Sequence, residues 1–183
     1  MKKLNTYHIC MIAMAIVVNF IGGQIALHLQ LPIYLDSIGT FFVAATCGPI
    51  LGMIPNTLSG LLMWALGDPF SLYYAPVGIL VGLVAGYVWP KKKAGIVGLL
   101  VACMIVTLPT SLCSASITAI LFGGITSSGS TVIVQVLKPI LGLTVACFIV
   151  QLITDFIDRI IAMVIVEVLE KRIPASLKNK LKN

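Results

Sequence analysis

The feature that most constrains this chain is a succession of long apolar runs, with most of its basic residues gathered in three clusters between and beyond them. Only 10% of the 183 residues are charged, 59% are hydrophobic, and the mean hydropathy is +1.09. A soluble domain carries roughly 25% charged residues. So few polar side chains cannot cover a water-facing surface, and the chain reads as an integral membrane protein. No small-residue cleavage site follows the first apolar run, so that run reads as a span rather than a cleavable leader.

A helix needs about 20 apolar residues to cross a bilayer. Six runs are expected to be helical: Tyr7 to Ala26, a short one from Leu35 to Cys47, Ile50 to Leu66 beyond the Gly48-Pro49 break, Ala75 to Trp89, Ile96 to Phe122, and Val132 to about Leu169. The last is too long for a perpendicular span. It must tilt, kink at Pro139 or continue past the membrane. The expected fold is all-α: a compact bundle of six transmembrane helices over residues 1–172, with a basic cytoplasmic tail over residues 173–183.

The basic clusters orient this bundle. Lys2 and Lys3 precede the first run, Lys91, Lys92 and Lys93 separate the fourth from the fifth, and Lys171, Arg172, Lys178, Lys180 and Lys182 follow the sixth. With six spans all three clusters fall on one side. The opposite loops, QIALHLQLPIY, GDPFSLYY and GGITSSGST, hold no Lys or Arg. The positive-inside rule then puts both termini in the cytoplasm of a multi-pass protein of the cell membrane. The net charge of +6 follows from this topology and needs no nucleic-acid partner.

Small residues recur at helical spacing. Gly78, Gly82 and Gly86 form one stripe, and Ser111, Ala115, Ala119 and Gly123 another. Such stripes let helix backbones approach closely. The five cysteines, Cys10, Cys47, Cys103, Cys113 and Cys147, each sit in an apolar run without a C-x-x-C or Cys/His pattern. They read as small packing residues, with neither disulfide nor metal expected.

Polar and aromatic residues collect in the loops assigned outside. The first loop ends in Tyr34 and Asp36. The second offers Asp68, Tyr73 and Tyr74, with Trp64 one turn earlier. The third is rich in Gly, Ser and Thr and leads to Gln135 and Lys138, three apart on one helix face. Apolar walls with a few orienting polar groups make a small-molecule pocket. Tyr and Trp also form interfacial belts, and Asp68-Pro69 is ordinary turn chemistry. Asp36 is either the rim of the pocket or the cap of its first loop. Lys138 suits an anionic ligand and the aromatics a ring.

In the sixth run Asp155, Asp158 and Arg159 interrupt an apolar stretch. Asp155 and Arg159 are four apart and can pair. The group faces the bundle interior, or it begins an amphipathic tail on the inner surface. It reads as structural or docking before it reads as a substrate site. The chain carries no Walker A motif, no G-x-S-x-G and no H-E-x-x-H. No catalytic residues or cofactors are expected, and active transport would draw its energy from another subunit.

At this point the chain resembles the substrate-binding (S) components of energy-coupling factor vitamin transporters. LPIYLDSIGTFFVAATCGPILGMI, residues 31–54, is similar to their stretch from first loop to third helix. YAPVGILVGLVAGYVWPKKK resembles their fourth helix and its basic exit. FGGITSSGST and DFIDRIIAMVIVEVLEKRIP resemble the fifth loop and closing helix. The resemblance implies high-affinity capture of a vitamin or related micronutrient at the outer face. Delivery would be to a membrane coupling subunit and two ATPase subunits. The implied pocket lies at the end where Asp36, Trp64, Asp68, Tyr73, Tyr74, Gln135 and Lys138 were found. Many members dock through A-x-x-x-A on helix one. Here the strict motif is absent, and docking would use Ala13 and Ala15, which Val17 and Asn19 follow four residues later.

Two other readings compete. A stand-alone small-solute carrier or channel would need a continuous path and usually repeat symmetry between halves; no convincing repeat is present. A membrane-embedded enzyme or sensor would need an acid–base set within the span, for which Asp155 and Asp158 are the only choice.

Overall fold

A computed structural model describes residues 5–90 and 95–174. Its described residues form seven α-helices and one 3-10 turn, with no strand among them: α1 (Thr6–His28), α2 (Ile38–Cys47), α3 (Pro49–Ala65), the 3-10 turn Ser71–Tyr74, α4 (Ala75–Val88), α5 (Gly95–Phe122), α6 (Ser130–Leu141) and α7 (Leu143–Arg172). Three segments are long and apolar enough to cross a membrane, namely α1, Ser71–Val88 and α5. Lys2, Lys3, Lys91, Lys92, Lys93 and the basic residues beyond 174 lie outside the described residues.

Breakers set the helix limits. α2 and α3 meet at Gly48, whose φ of 94° suits glycine alone, and Pro49 then occupies the first helical position, where its missing N–H costs nothing. α2 begins three residues later than its apolar run, because Leu35 (φ 53°) holds the chain out of the right-handed helix. At ~1.5 Å per residue the ten residues of α2 rise only ~15 Å. The first loop folds back along α1, with Leu35 against Gly22 and Asp36 beside Gly23, and Gly39 of α2 is pressed on the backbone of Ala15.

The long sixth run is not one helix. It divides at Gly142 (φ 78°, ψ 159°), three residues beyond Pro139, and Pro139 itself stays inside α6. Proline removes one helical hydrogen bond, but only glycine enters the backbone region that Gly142 adopts, so the turn falls there. Val134 and Leu137 of α6 share an apolar cluster with Ala146, Cys147 and Val150 of α7. α6 is thus a short helix folded back on the start of α7.

The glycine stripe of α4 meets α3. A Cβ on Gly82 would strike the Gly52 backbone, one on Gly86 the Pro49 backbone, and one on Gly78 the Asn56 side chain. The main core joins α2, α4, α5 and α7 through Phe41, Val81, Ala85, Trp89, Leu99, Val106, Met163 and Val166. At one end Trp89 Nε1 donates to Glu170 Oε2 at 3.0 Å, and Met11 lies by Thr46 and Cys47. Both described chain ends and the C-terminal end of α4 therefore share that end. The loops at residues 29–37, 67–74 and 123–129 share the other. None of the five cysteines forms a disulfide among the described residues.

Candidate functional site

At the loop end the bundle encloses a cavity of about 90 Å³. Its roof is made by the first and third of those loops, bound to each other. Gly129 N–H and Ser128 Oγ donate to the Leu31 carbonyl at 3.2 and 3.4 Å, and Gln30 Nε2 donates to the Ser127 carbonyl at 3.4 Å. Gly129 touches the Gln30 carbonyl so closely that a Cβ would not fit, which explains a glycine in that loop. The walls are the end of α1, Asn56 and Met63 of α3, and residues 68–78. Ser114 of α5 and Asp155, Asp158 and Arg159 of α7 close the remaining side.

The charged group of α7 is woven into this structure. Arg159 Nη2 lies 3.2 Å from Asp155 Oδ2. Ser111 Oγ donates to the same oxygen at 2.6 Å and accepts from Arg159 Nη1 at 3.4 Å. Asp158 reaches the first loop, where Leu35 N–H donates to Oδ1 at 2.7 Å and Ser37 Oγ to Oδ2 at 3.0 Å. These two bonds hold Leu35 in a left-handed conformation that costs a residue with a Cβ roughly 1–2 kcal/mol. Toward the roof, Ser114 Oγ donates to Gln151 Oε1 (2.6 Å), and Gln151 Nε2 donates to Thr118 Oγ1 (2.9 Å). Thr118 spends its own proton on the Ser114 carbonyl, so the Tyr74 hydroxyl, 2.6 Å away, is the donor of that pair.

Among the residues picked out from the sequence, Asp36, Asp68 and Tyr74 line the cavity. Asp68 caps the following turn, accepting from Phe70 N–H (3.3 Å) and from Ser71 Oγ. Asn56 Nδ2 donates to the Asp36 carbonyl at 3.0 Å and fixes the end of the first loop. The Asp36 carboxyl lies beside the α7 charges. Asp158 places a second negative charge near it and Arg159 an opposing positive one. Tyr34 is a further lining residue.

Four residues picked out with these do not line the cavity. Trp64 is 48% exposed on the outer side of α3, because one helical step of about 100° separates it from Met63, which faces inward. Tyr73 packs edge-on against Phe122, with centroids 5.3 Å apart. Gln135 donates to the Gly124 carbonyl at 3.2 Å, and Lys138 is exposed near the end of α6. Both belong to a helix laid outside the cavity, a consequence of the turn at Gly142. For the expected docking pair, Ala13 is exposed on α1 with Met14 and Val17, but Ala15 is buried against Gly39 and closed to any partner.

The residues that sequence reasoning placed elsewhere are Asp155, Asp158 and Arg159. Their signal was present: ionisable groups inside an apolar run mark functional positions more often than structural ones. Asn56 and Ser114 carried no such signal. Among the described residues no three His, Cys, Asp or Glu side chains converge as a metal ion would require. Compared with family models, with curated proteins and with solved structures, the chain matches none of them.

Proposed function

We propose that this chain is a membrane-embedded capture subunit for a small micronutrient-like solute. It would work like the S components it resembles, handing its ligand to a membrane coupling subunit driven by two ATPase subunits. The observation that supports this reading best is the roofed polar cavity at the end of the bundle away from both described chain ends. A site covered by two loops tied together by three hydrogen bonds suits tight capture better than through-passage. On this reading the termini and Lys92 face the cytoplasm, the Thr126 to Ser130 loop faces outside, and the exposed apolar face of α1 around Ala13, Met14 and Val17 meets lipid or the coupling subunit.

Native mass spectrometry of the detergent-purified chain tests this directly. A small molecule should co-purify, and vesicles containing only this chain should not accumulate it against a gradient when ATP is supplied. Concentrative uptake by the chain alone would establish a carrier instead. Labelling of a single cysteine at position 92 from outside would reverse the orientation.

A further inference from the structure

We propose that the cavity is built for an organic cation, a protonated amine attached to an aromatic or apolar body, with Asp36 as its counter-ion. This rests on the reading of the cavity as a binding site and adds the charge of what it binds. Four carboxyl groups line the space, those of Asp36, Asp68, Asp155 and Asp158, against one guanidinium. That guanidinium is already committed, since Arg159 is held by Asp155 and Ser111. Its one positive charge is already offset by Asp155, so the balance of charge around the space favours a cation over an anion. Lys138, the residue that would have suited an anion, lies outside on α6.

The carboxyls are not equivalent. Asp155 has its guanidinium, Asp158 has the Leu35 amide and the Ser37 hydroxyl, and Asp68 has the Phe70 amide and the Ser71 hydroxyl. Among the described residues no other side chain donates to the Asp36 carboxyl; its accessible surface opens on the cavity. Asp36 is therefore the group with bonding capacity left for a ligand, and Asp158 beside it adds a second negative charge to the same region. Tyr34, Phe70 and Tyr74 line the same space and give it aromatic surface, which attracts cations and packs on flat apolar bodies. Among the described residues the His, Cys, Asp and Glu side chains do not converge as a metal ion would require, and the aromatic lining suits an organic cation.

The groups facing Asp36 are Asp155, Asp158 and Arg159 from α7, with Asn56 from α3, Gly23 from α1 and Tyr34 from its own loop.

The test is a calorimetric and thermal-shift comparison of the purified chain with benzylamine, benzyl alcohol and benzoate. These are one ring size with three charges, and the amine is protonated at pH 8. Benzylamine should bind at least tenfold more tightly than the other two at pH 8. Asp36→Asn should level the three ligands. This variant has the shape of the neutral acid, and the wild-type comparison of the three charges stands independently of it. Preference for benzoate, equal binding, absence of selective binding, or an amine preference undiminished in Asp36→Asn would each overturn the proposal. A neutral or anionic molecule found co-purifying would also overturn it, while leaving the capture reading in place.

Discussion

Helix α7 carries two ion pairs of identical spacing. Asp155 and Arg159, in its middle, lie 3.2 Å apart with side chains 7% and 6% exposed. Glu167 and Lys171, in its last turns, lie 2.9 Å apart with side chains 37% and 65% exposed. In both the acid precedes the base by four residues, the order that suits a helix. Yet the two do different work. The exposed pair exchanges freely with water and adds little. The buried pair has lost its hydration, and each charge depends on the other and on Ser111. The shorter contact is the weaker contributor, because solvation rather than distance decides the outcome.

Removing one partner should expose this difference. Arg159→Ala leaves Asp155 buried with Ser111 as its remaining partner. The expected loss is about 3–5 kcal/mol, read as a large drop in melting temperature in detergent. The double variant Asp155→Leu/Arg159→Met replaces the pair with apolar volume and should recover most or all of that loss. Failure to recover would mean that the pair is needed for the fold itself and not only for its own neutrality. Ser111→Ala removes the hydroxyl shared by both charges and should cost about 1–3 kcal/mol, measured in the same way. At the far end of the scale, Lys171→Ala should change stability by no more than about 0.3–0.5 kcal/mol. A larger effect there would show that the end of α7 is covered by something other than solvent. If Arg159→Ala proved as mild as Lys171→Ala, the middle of α7 would have to be open to water.

Much of the helical layout was legible because breakers and apolar runs are local features. Gly48-Pro49 ends one helix and starts another whatever surrounds it, and the stripe of Gly78, Gly82 and Gly86 announced a close helix contact before its partner, α3, was known. The site was harder to read. Asp36, Asp68 and Tyr74 lie on the loops that close the cavity, so a search of polar loops finds them. Trp64 lies one residue from Met63 and faces the other way, since helical phase at a helix end is not visible in a list of loop residues. Lys138 and Gln135 depended on where the chain turns between Val132 and Leu169, and Pro139 was a more conspicuous breaker than Gly142.

By itself the sequence determined that this chain is all-helical, that its surface is too apolar for a soluble domain, and where most of its helices begin and end. Those follow from composition, the spacing of apolar residues and the positions of Gly and Pro. Only the tertiary structure decided which of two like-spaced ion pairs is buried, which carboxyl receives no hydrogen bond from another side chain, and that the first loop folds back into the bundle to meet Asp158. Those depend on what stands across from each side chain. In a helical bundle the opposing residues come from segments up to 123 positions away, as Leu35 and Asp158 do, where no local pattern reports them.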